Sequence, residues 1–172
     1  DEQRIDGTAD SWADDRVPDF HIVGISCPDK VAAPSVLAAA DAEFETDGKM
    51  TKRDVRASAL AKLAPFPGAV LWDIGTGSGA VSIDFLRMAT GGRAFAVDKS
   101  APHLARAVRN AESHGVMGFE PVAGLASDCL SDLPRPDAVF IGGGLSADIV
   151  EASRAALRTG GVLVAHAVTI ES

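Results

Sequence analysis

The stretch 70–79, Val-Leu-Trp-Asp-Ile-Gly-Thr-Gly-Ser-Gly, decides how the rest of the chain is read. Val70, Leu71, Trp72 and Ile74 form a short apolar run of the kind found in buried strands, with one acid, Asp73, set into it. Gly75, Gly77 and Gly79 follow at every second position, and Val81, Ile83, Phe85 and Leu86 then return as the apolar residues of a helix. A strand, a glycine turn and a helix in that order make one βα unit. Glycines accept positive φ and let a ligand approach bare main chain, and the first helical turn leaves N–H groups free. The stretch predicts a turn that holds a nucleotide or nucleoside, and leaves open which one.

Downstream the same alternation continues. Residues 93–98, 119–123, 137–141 and 162–168 read as further strands, with helices over 101–115 and 147–158 between them. In the first of these helices Pro102 falls in the opening turn, where proline is tolerated, and Leu104, Ala107, Val108 and Ala111 form the inward side. Gly142, Gly143 and Gly144 follow the fourth strand directly. Apolar strands joined by helices predict a doubly wound, mostly parallel sheet covered on both faces, an α/β fold of Rossmann-like type.

Upstream, Thr51-Lys52-Arg53-Asp54 has the spacing of a capping box. It opens a helix with Val55, Ala59, Leu60 and Leu63 on one side, which ends before Pro65. Lys49, Lys52, Arg53 and Arg56 crowd its start, against the helix macrodipole. They are either a solvated face or a clamp for a polyanionic substrate. Residues 28–47 read as a linker with one helical turn at most. Before it, residues 20–26 form an isolated apolar strand without a nearby partner.

Charge divides the 172 residues in two. Residues 1–50 hold 12 acids and 4 bases, the whole of the net −8, while residues 51–172 hold 12 of each. No basic stripe marks a nucleic-acid partner. No run approaches the roughly 18 apolar residues of a membrane span. Cys27 and Cys129 stand apart with no C-x-x-C between them, which predicts a reduced, cytoplasmic setting. No Cys/His cluster predicts a metal.

Two ligands compete for the glycine turn. Gly75-x-Gly77-x-x-Ala80, with Asp98 at the spacing of a ribose acid, fits a dinucleotide fingerprint, and hence an NAD(P)-dependent oxidoreductase. Against it, the Asp73 carboxylate two residues before the glycines repels a pyrophosphate and attracts a cationic sulfonium ligand bearing an amino group. A basic helix also precedes the fingerprint strand. Finally, residues 157–164, Leu-Arg-Thr-Gly-Gly-Val-Leu-Val, resemble the turn into the fifth strand of class I S-adenosylmethionine (SAM) methyltransferases.

Met50-Thr-Lys-Arg-Asp-Val-Arg56, Trp72-Asp-Ile-Gly-Thr-Gly-Ser-Gly79, Phe140-Ile-Gly-Gly-Gly144 and Ala167-Val-Thr-Ile-Glu171 occur in this order. Over residues 44–172 they resemble the C-terminal, decarboxylating domain of the precorrin-6Y C5,15-methyltransferases of cobalamin biosynthesis, and its stand-alone relative, precorrin-8w decarboxylase. The resemblance implies a SAM-dependent transferase that methylates the C15 carbon of a corrin precursor while the C12 acetate loses carbon dioxide. It implies that Thr51 and the turn Gly75, Thr76, Gly77, Ser78, Gly79 hold the amino-acid end of the cofactor. Asp98 would take the ribose hydroxyls and Ala126 would line the adenine pocket. Gly142, Gly143 and Gly144 would leave room for a flat tetrapyrrole whose carboxylates meet Lys49, Lys52, Arg53 and Arg56. His166 is the one candidate proton acceptor, and stands where the family usually has Asn. The resemblance further implies a homotetramer, and makes residues 1–43 the acidic tail of a preceding methyltransferase domain plus a linker. The family fold continues beyond a fifth strand, so this chain is expected to lack its last strands, and a SAM-binding fragment without activity is the remaining alternative.

Overall fold

The computed structural model describes residues 38–167. All of them belong to one compact unit. The expected strand at 20–26, and residue 168 at the end of the fifth strand expected over 162–168, lie outside the described residues.

The elements in order are α1 (Arg53–Leu63), β1 (Val70–Ile74), α2 (Ala80–Met88), β2 (Arg93–Asp98), α3 (Ala101–Ser113), β3 (Phe119–Ala123), α4 (Ala126–Cys129), β4 (Ala138–Ile141), α5 (Ala147–Ala156) and β5 (Val162–Ala165). The five strands form one sheet in the order β3-β2-β1-β4-β5, all parallel. All five β1 residues are buried because this strand lies at the centre, between β2 and β4. Alternate residues supply the two faces. Leu71 and Phe140 pack with Leu60, Leu63 and Phe85 under α1 and α2, and Trp72, Ile74, Val139 and Ile141 pack with Ile149 of α5 on the other side. The predicted doubly wound α/β sheet is present.

Local readings diverge where distant residues intervene. Val55 is 49% exposed rather than inward, and Val108 is half-buried while Asn110 takes the inward place on α3. The capping box does not form: the helix starts at Arg53, capped by Lys52 without a side-chain hydrogen bond. Thr51 is displaced from the cap because its carbonyl accepts from Arg56 Nη1 at 2.6 Å. The helix predicted over 147–158 stops at Ala156, where Arg135 takes the Ala156 and Leu157 carbonyls at 2.9 and 2.8 Å.

Residues 38–50, predicted as linker and helix approach, form a packed strap with a short 3-10 turn at Asp41–Glu43. Ala39 and Phe44 are buried against Ala80, Ile83 and Ala111, so the strap covers the outer side of α2. That explains why α2 is buried at every position from Ala80 to Leu86, a pattern a one-sided amphipathic helix does not produce.

Candidate functional site

The strand order reverses direction at β1, with β2 on one side and β4 on the other, and ligands of open α/β sheets bind at such a crevice. The glycines make the crevice close-packed. Gly75, at φ +73°, lies so near Gly143 that a Cβ would stand 2.7 Å from the Gly143 nitrogen and Cα. Its N–H reaches across to the Val97 carbonyl at 2.8 Å. Gly77, at φ +57°, faces open space instead, with the Lys49 carbonyl of the strap its nearest neighbour at 3.9 Å.

Over this turn opens a cavity of about 880 Å³, walled on one side by Gly75 to Ser78, on another by Gly48 to Lys52 and Val55, and closed by Phe140, Gly142 and His166. Its floor is Asp73. One carboxylate oxygen, Oδ2, accepts from the Thr76 and Ser82 hydroxyls at 2.8 and 2.6 Å. The other, Oδ1, is buried without a hydrogen-bond partner. Burial pushes the Asp73 carboxyl above its ordinary value, with the Ser82 and Thr76 hydroxyls opposing. An orphaned acceptor of this kind is costly unless a donor arrives. A ligand ammonium is such a donor, and a cation at the cavity floor favours the charged form of the carboxylate.

At the far side of the turn, Asp98 ends β2. Its Oδ2 accepts from the Gly77 N–H at 3.0 Å, its Oδ1 from the Ser100 N–H at 2.9 Å, and His103 Nδ1 stands 3.2 Å from Oδ2. The second His103 nitrogen lies 3.5 Å from Asp47 of the strap. His166 lines the cavity rim, edge-on to Phe140 with ring centroids 4.9 Å apart. Partial burial, and then Lys62, hold its pKa below the usual histidine value, which favours the neutral imidazole.

Nine of the expected residues meet in this cavity: Lys49, Thr51, Lys52, Gly75, Thr76, Gly77, Ser78, Gly142 and His166. Asp98 and Ala126 do not line it; Ala126 packs at the start of α4 against the α5 side of the sheet. Gly79 is also outside, buried where a Cβ would press on Ala107 at 3.0 Å and Phe119 at 3.3 Å, so it serves helix packing. Gly143 lies behind Gly75, and Gly144, at φ +70°, has nothing within 4 Å of its Cβ position. Arg53 turns its Nε to the Ala38 carbonyl of the strap at 3.2 Å. Arg56 is the clear correction to the cationic clamp: its side chain is fully buried and bound to Asp84 at 2.6 Å. It has no surface to offer a substrate. Lys49 and Lys52 remain, with no partner for either ammonium among the described residues.

Sequence reasoning passed over Asp84, Asn110 and Asp47. Asp84 and Asn110 did carry a signal, a polar residue alone on an apolar helix face. Asn110 accepts from the Glu45 N–H at 2.8 Å and donates to the Ser78 carbonyl at 2.8 Å, joining the strap to the glycine turn. Asp47 sits in a polar run with nothing to distinguish it.

A parallel sheet in this order with a glycine turn at its reversal point is the doubly wound α/β arrangement, and the solved structures it resembles make it the class I methyltransferase form of that fold. A SAM-dependent methyltransferase from Thiobacillus denitrificans, solved with S-adenosyl-L-homocysteine, shares this fold at TM-score 0.60 and 24% identity, covering 69% of this chain and 51% of that one. Residues 42–172 match the family described as the precorrin methyltransferase domain, and the chain belongs to that family. The C-terminal domain of precorrin-6Y C5,15-methyltransferase from Rhodobacter capsulatus is similar at TM-score 0.74 and 40% identity, covering 80% of this chain and 74% of that one. The precorrin-6Y C(5,15)-methyltransferase (decarboxylating) of a Sinorhizobium species is 48% identical over 76% of this chain and 32% of its own length. That of Mycobacterium tuberculosis (strain CDC 1551 / Oshkosh) is 38% identical over 99% of this chain and 44% of its own length. The chain thus spans less than half of these two curated relatives.

Proposed function

We propose that this chain is the SAM-dependent methyltransferase unit that methylates C15 of a precorrin and releases the C12 acetate carboxyl as carbon dioxide, in cobalamin biosynthesis. The observation that carries the reading is the cavity over the glycine turn, with an unpartnered Asp73 oxygen at its floor and, at its wall, two lysines that have no partner among the described residues. The residues fit the cofactor: Asp73 offers an acceptor for its ammonium, Gly77 leaves the turn open, and Asp98 stands at the end of the next strand for the ribose hydroxyls.

When bound, S-adenosylmethionine supplies an electrophilic methyl on a cationic sulfur. The protein's part is alignment, because methyl transfer to an electron-rich ring carbon depends mainly on holding the two in line. Thr51 and the Gly75–Ser78 turn orient the cofactor from two walls. Val55 and Phe140 offer apolar surface to a flat macrocycle, and Lys49 and Lys52 meet its rim carboxylates through charge-assisted contacts. His166, at the cavity rim with its neutral form favoured, would take up the proton released. In the net reaction the carbon–sulfur bond would break as the C15–methyl bond forms, leaving the neutral thioether and releasing a ring proton; the C12 acetate would lose carbon dioxide, its electron pair delocalised into the ring until a proton is taken up on the remaining carbon to give a methyl group.

In the whole protein we place a second methyltransferase domain ahead of residue 44, in line with the greater length of the curated relatives. In this reading the whole protein is a homo-oligomer. A cytoplasmic location agrees with the separated cysteines. Calorimetric titration with SAM and with NAD tests the ligand: binding of NAD without SAM refutes the proposal. Replacing Lys49 and Lys52 together by Ala tests the substrate side. Each lost contact is expected to weaken tetrapyrrole binding by about 1.5–3 kcal/mol with SAM affinity unchanged. Unaltered tetrapyrrole affinity in that variant removes the lysines from the site.

A further inference from the structure

The strap carries Gly48 to Thr51 to the cavity wall, and Ala38, Ala39 and Phe44 anchor its first half in the core. A buried ion pair beneath it ties that half to Thr51. Asp84, 1% exposed in the middle of α2, receives four hydrogen bonds. The Ala39 N–H reaches Oδ1 at 3.1 Å and Oδ2 at 3.3 Å, Arg87 donates to Oδ1 at 3.0 Å, and Arg56 Nε donates to Oδ2 at 2.6 Å. The Arg56 guanidinium then spends its remaining nitrogens on the strap. Nη1 donates to the Thr51 carbonyl at 2.6 Å and to Asp41 Oδ1 at 3.2 Å, and Nη2 to the Ala39 carbonyl at 2.5 Å. The ring of Phe44, also on the strap, lies 4.9 Å from the guanidinium carbon.

Stability alone does not account for this arrangement, since a buried ion pair generally holds a fold no better than a well-packed apolar pair of the same size. Only a planar five-donor fork reaches acceptors at both ends of the strap, Ala39 and Thr51, while bound to a carboxylate in the core. Two ion pairs of the strap, Asp47 to Arg106 at 3.3 Å and Glu45 to Arg109 at 2.8 Å, involve exposed carboxylates and hold weakly, while the buried Asn110 holds the Glu45 main chain but is hydrogen-bonded to neither Ala39 nor Thr51. We propose that Arg56 and Asp84 are positioning residues of the cofactor site: the buried pair fixes the strap, and through the Thr51 carbonyl sets the wall that faces the glycine turn. This rests on the cofactor reading above, and gives Arg56 a role in binding without contact to any ligand.

The test uses the whole chain and S-adenosylhomocysteine as probe. Arg56→Lys keeps the charge and a single bond to Asp84 but cannot span the strap. It is expected to raise the dissociation constant about tenfold or more, and to speed hydrogen exchange at Ala39, Glu45 and Lys49 while β1 and β2 stay protected. Val139→Ala, a buried change under the opposite face of the sheet, is expected to lower Tm with the dissociation constant and the strap's exchange pattern unchanged. Where Arg56→Lys does not fold, Asp41→Asn removes only the half-exposed partner and should move the same two readouts in the same direction, less far. An unchanged dissociation constant, or exchange that rises equally in strap and sheet, overturns the proposal. A wild-type chain that fails to bind the probe ends the cofactor reading instead, and exchange confined to the strap in the variant still identifies the pair as the strap's fastening.

Discussion

Replacing Gly75 by Ala puts the close approach at the sheet's reversal point to a quantitative test. Two costs are superimposed there. The residue sits at φ +73°, a left-handed conformation that costs an L-residue roughly 1–2 kcal/mol. The new methyl would also stand 2.7 Å from the Gly143 nitrogen and Cα, main-chain atoms that cannot rotate aside. Forcing one carbon into such a contact costs about 1–3 kcal/mol, so the total is about 2–5 kcal/mol. Gly144→Ala separates the terms, because Gly144 has nearly the same φ, +70°, with nothing within 4 Å of its Cβ position. It should lose only the conformational cost, about 1–2 kcal/mol. Urea denaturation of both variants, with the slope m checked against the parent, gives the two numbers directly. The Gly75 variant should also bind SAM more weakly, since relief comes only by parting the β1 turn from the β4 loop. Equal losses at the two positions would refute the reasoning, by showing that the Gly75–Gly143 approach is slack in solution.

Two further outcomes follow from the two acids of the site. Asp98→Ala strips the Gly77 and Ser100 N–H groups of their acceptor and removes the proposed ribose contact; at about 1–3 kcal/mol per group left unsatisfied, SAM affinity should fall at least tenfold by calorimetry. Unchanged affinity would move the ribose contact elsewhere. For Asp73 the sign is set by burial, which raises the folded-state pKa above the unfolded value near 3.8. The folded chain therefore holds this proton more tightly, so its contribution to stability is full below about pH 4 and declines as pH rises through the folded value. Asp73→Asn should abolish that decline, and its stability should fall less than the parent's between pH 4 and 7 in denaturation curves. Parallel pH profiles for the two proteins would contradict the assigned burial effect.

Local pattern alone determined the βα alternation, the parallel sheet and the ligand turn. Val70–Ile74 is apolar through and through because a central parallel strand is covered on both faces, and that requirement is written into consecutive residues. The glycines at 75 and 77 were equally legible, since positive φ is a property of one residue. Tertiary structure alone decided which of the cations near α1 line the cavity. Lys49, Lys52, Arg53 and Arg56 look alike along the chain, and nothing within a helical turn distinguishes them. Arg56 is withdrawn because a carboxylate 28 positions away, Asp84, arrives beneath it when α1 packs on α2. The strap was hidden for the same reason. Residues 38–50 lack a periodic apolar face, and Ala39 and Phe44 become core only once α2 and α3 have created the groove they fill. Burial is a relation between distant segments, whereas backbone preference and periodicity are carried by neighbours; the chain states the second openly and the first only when folded.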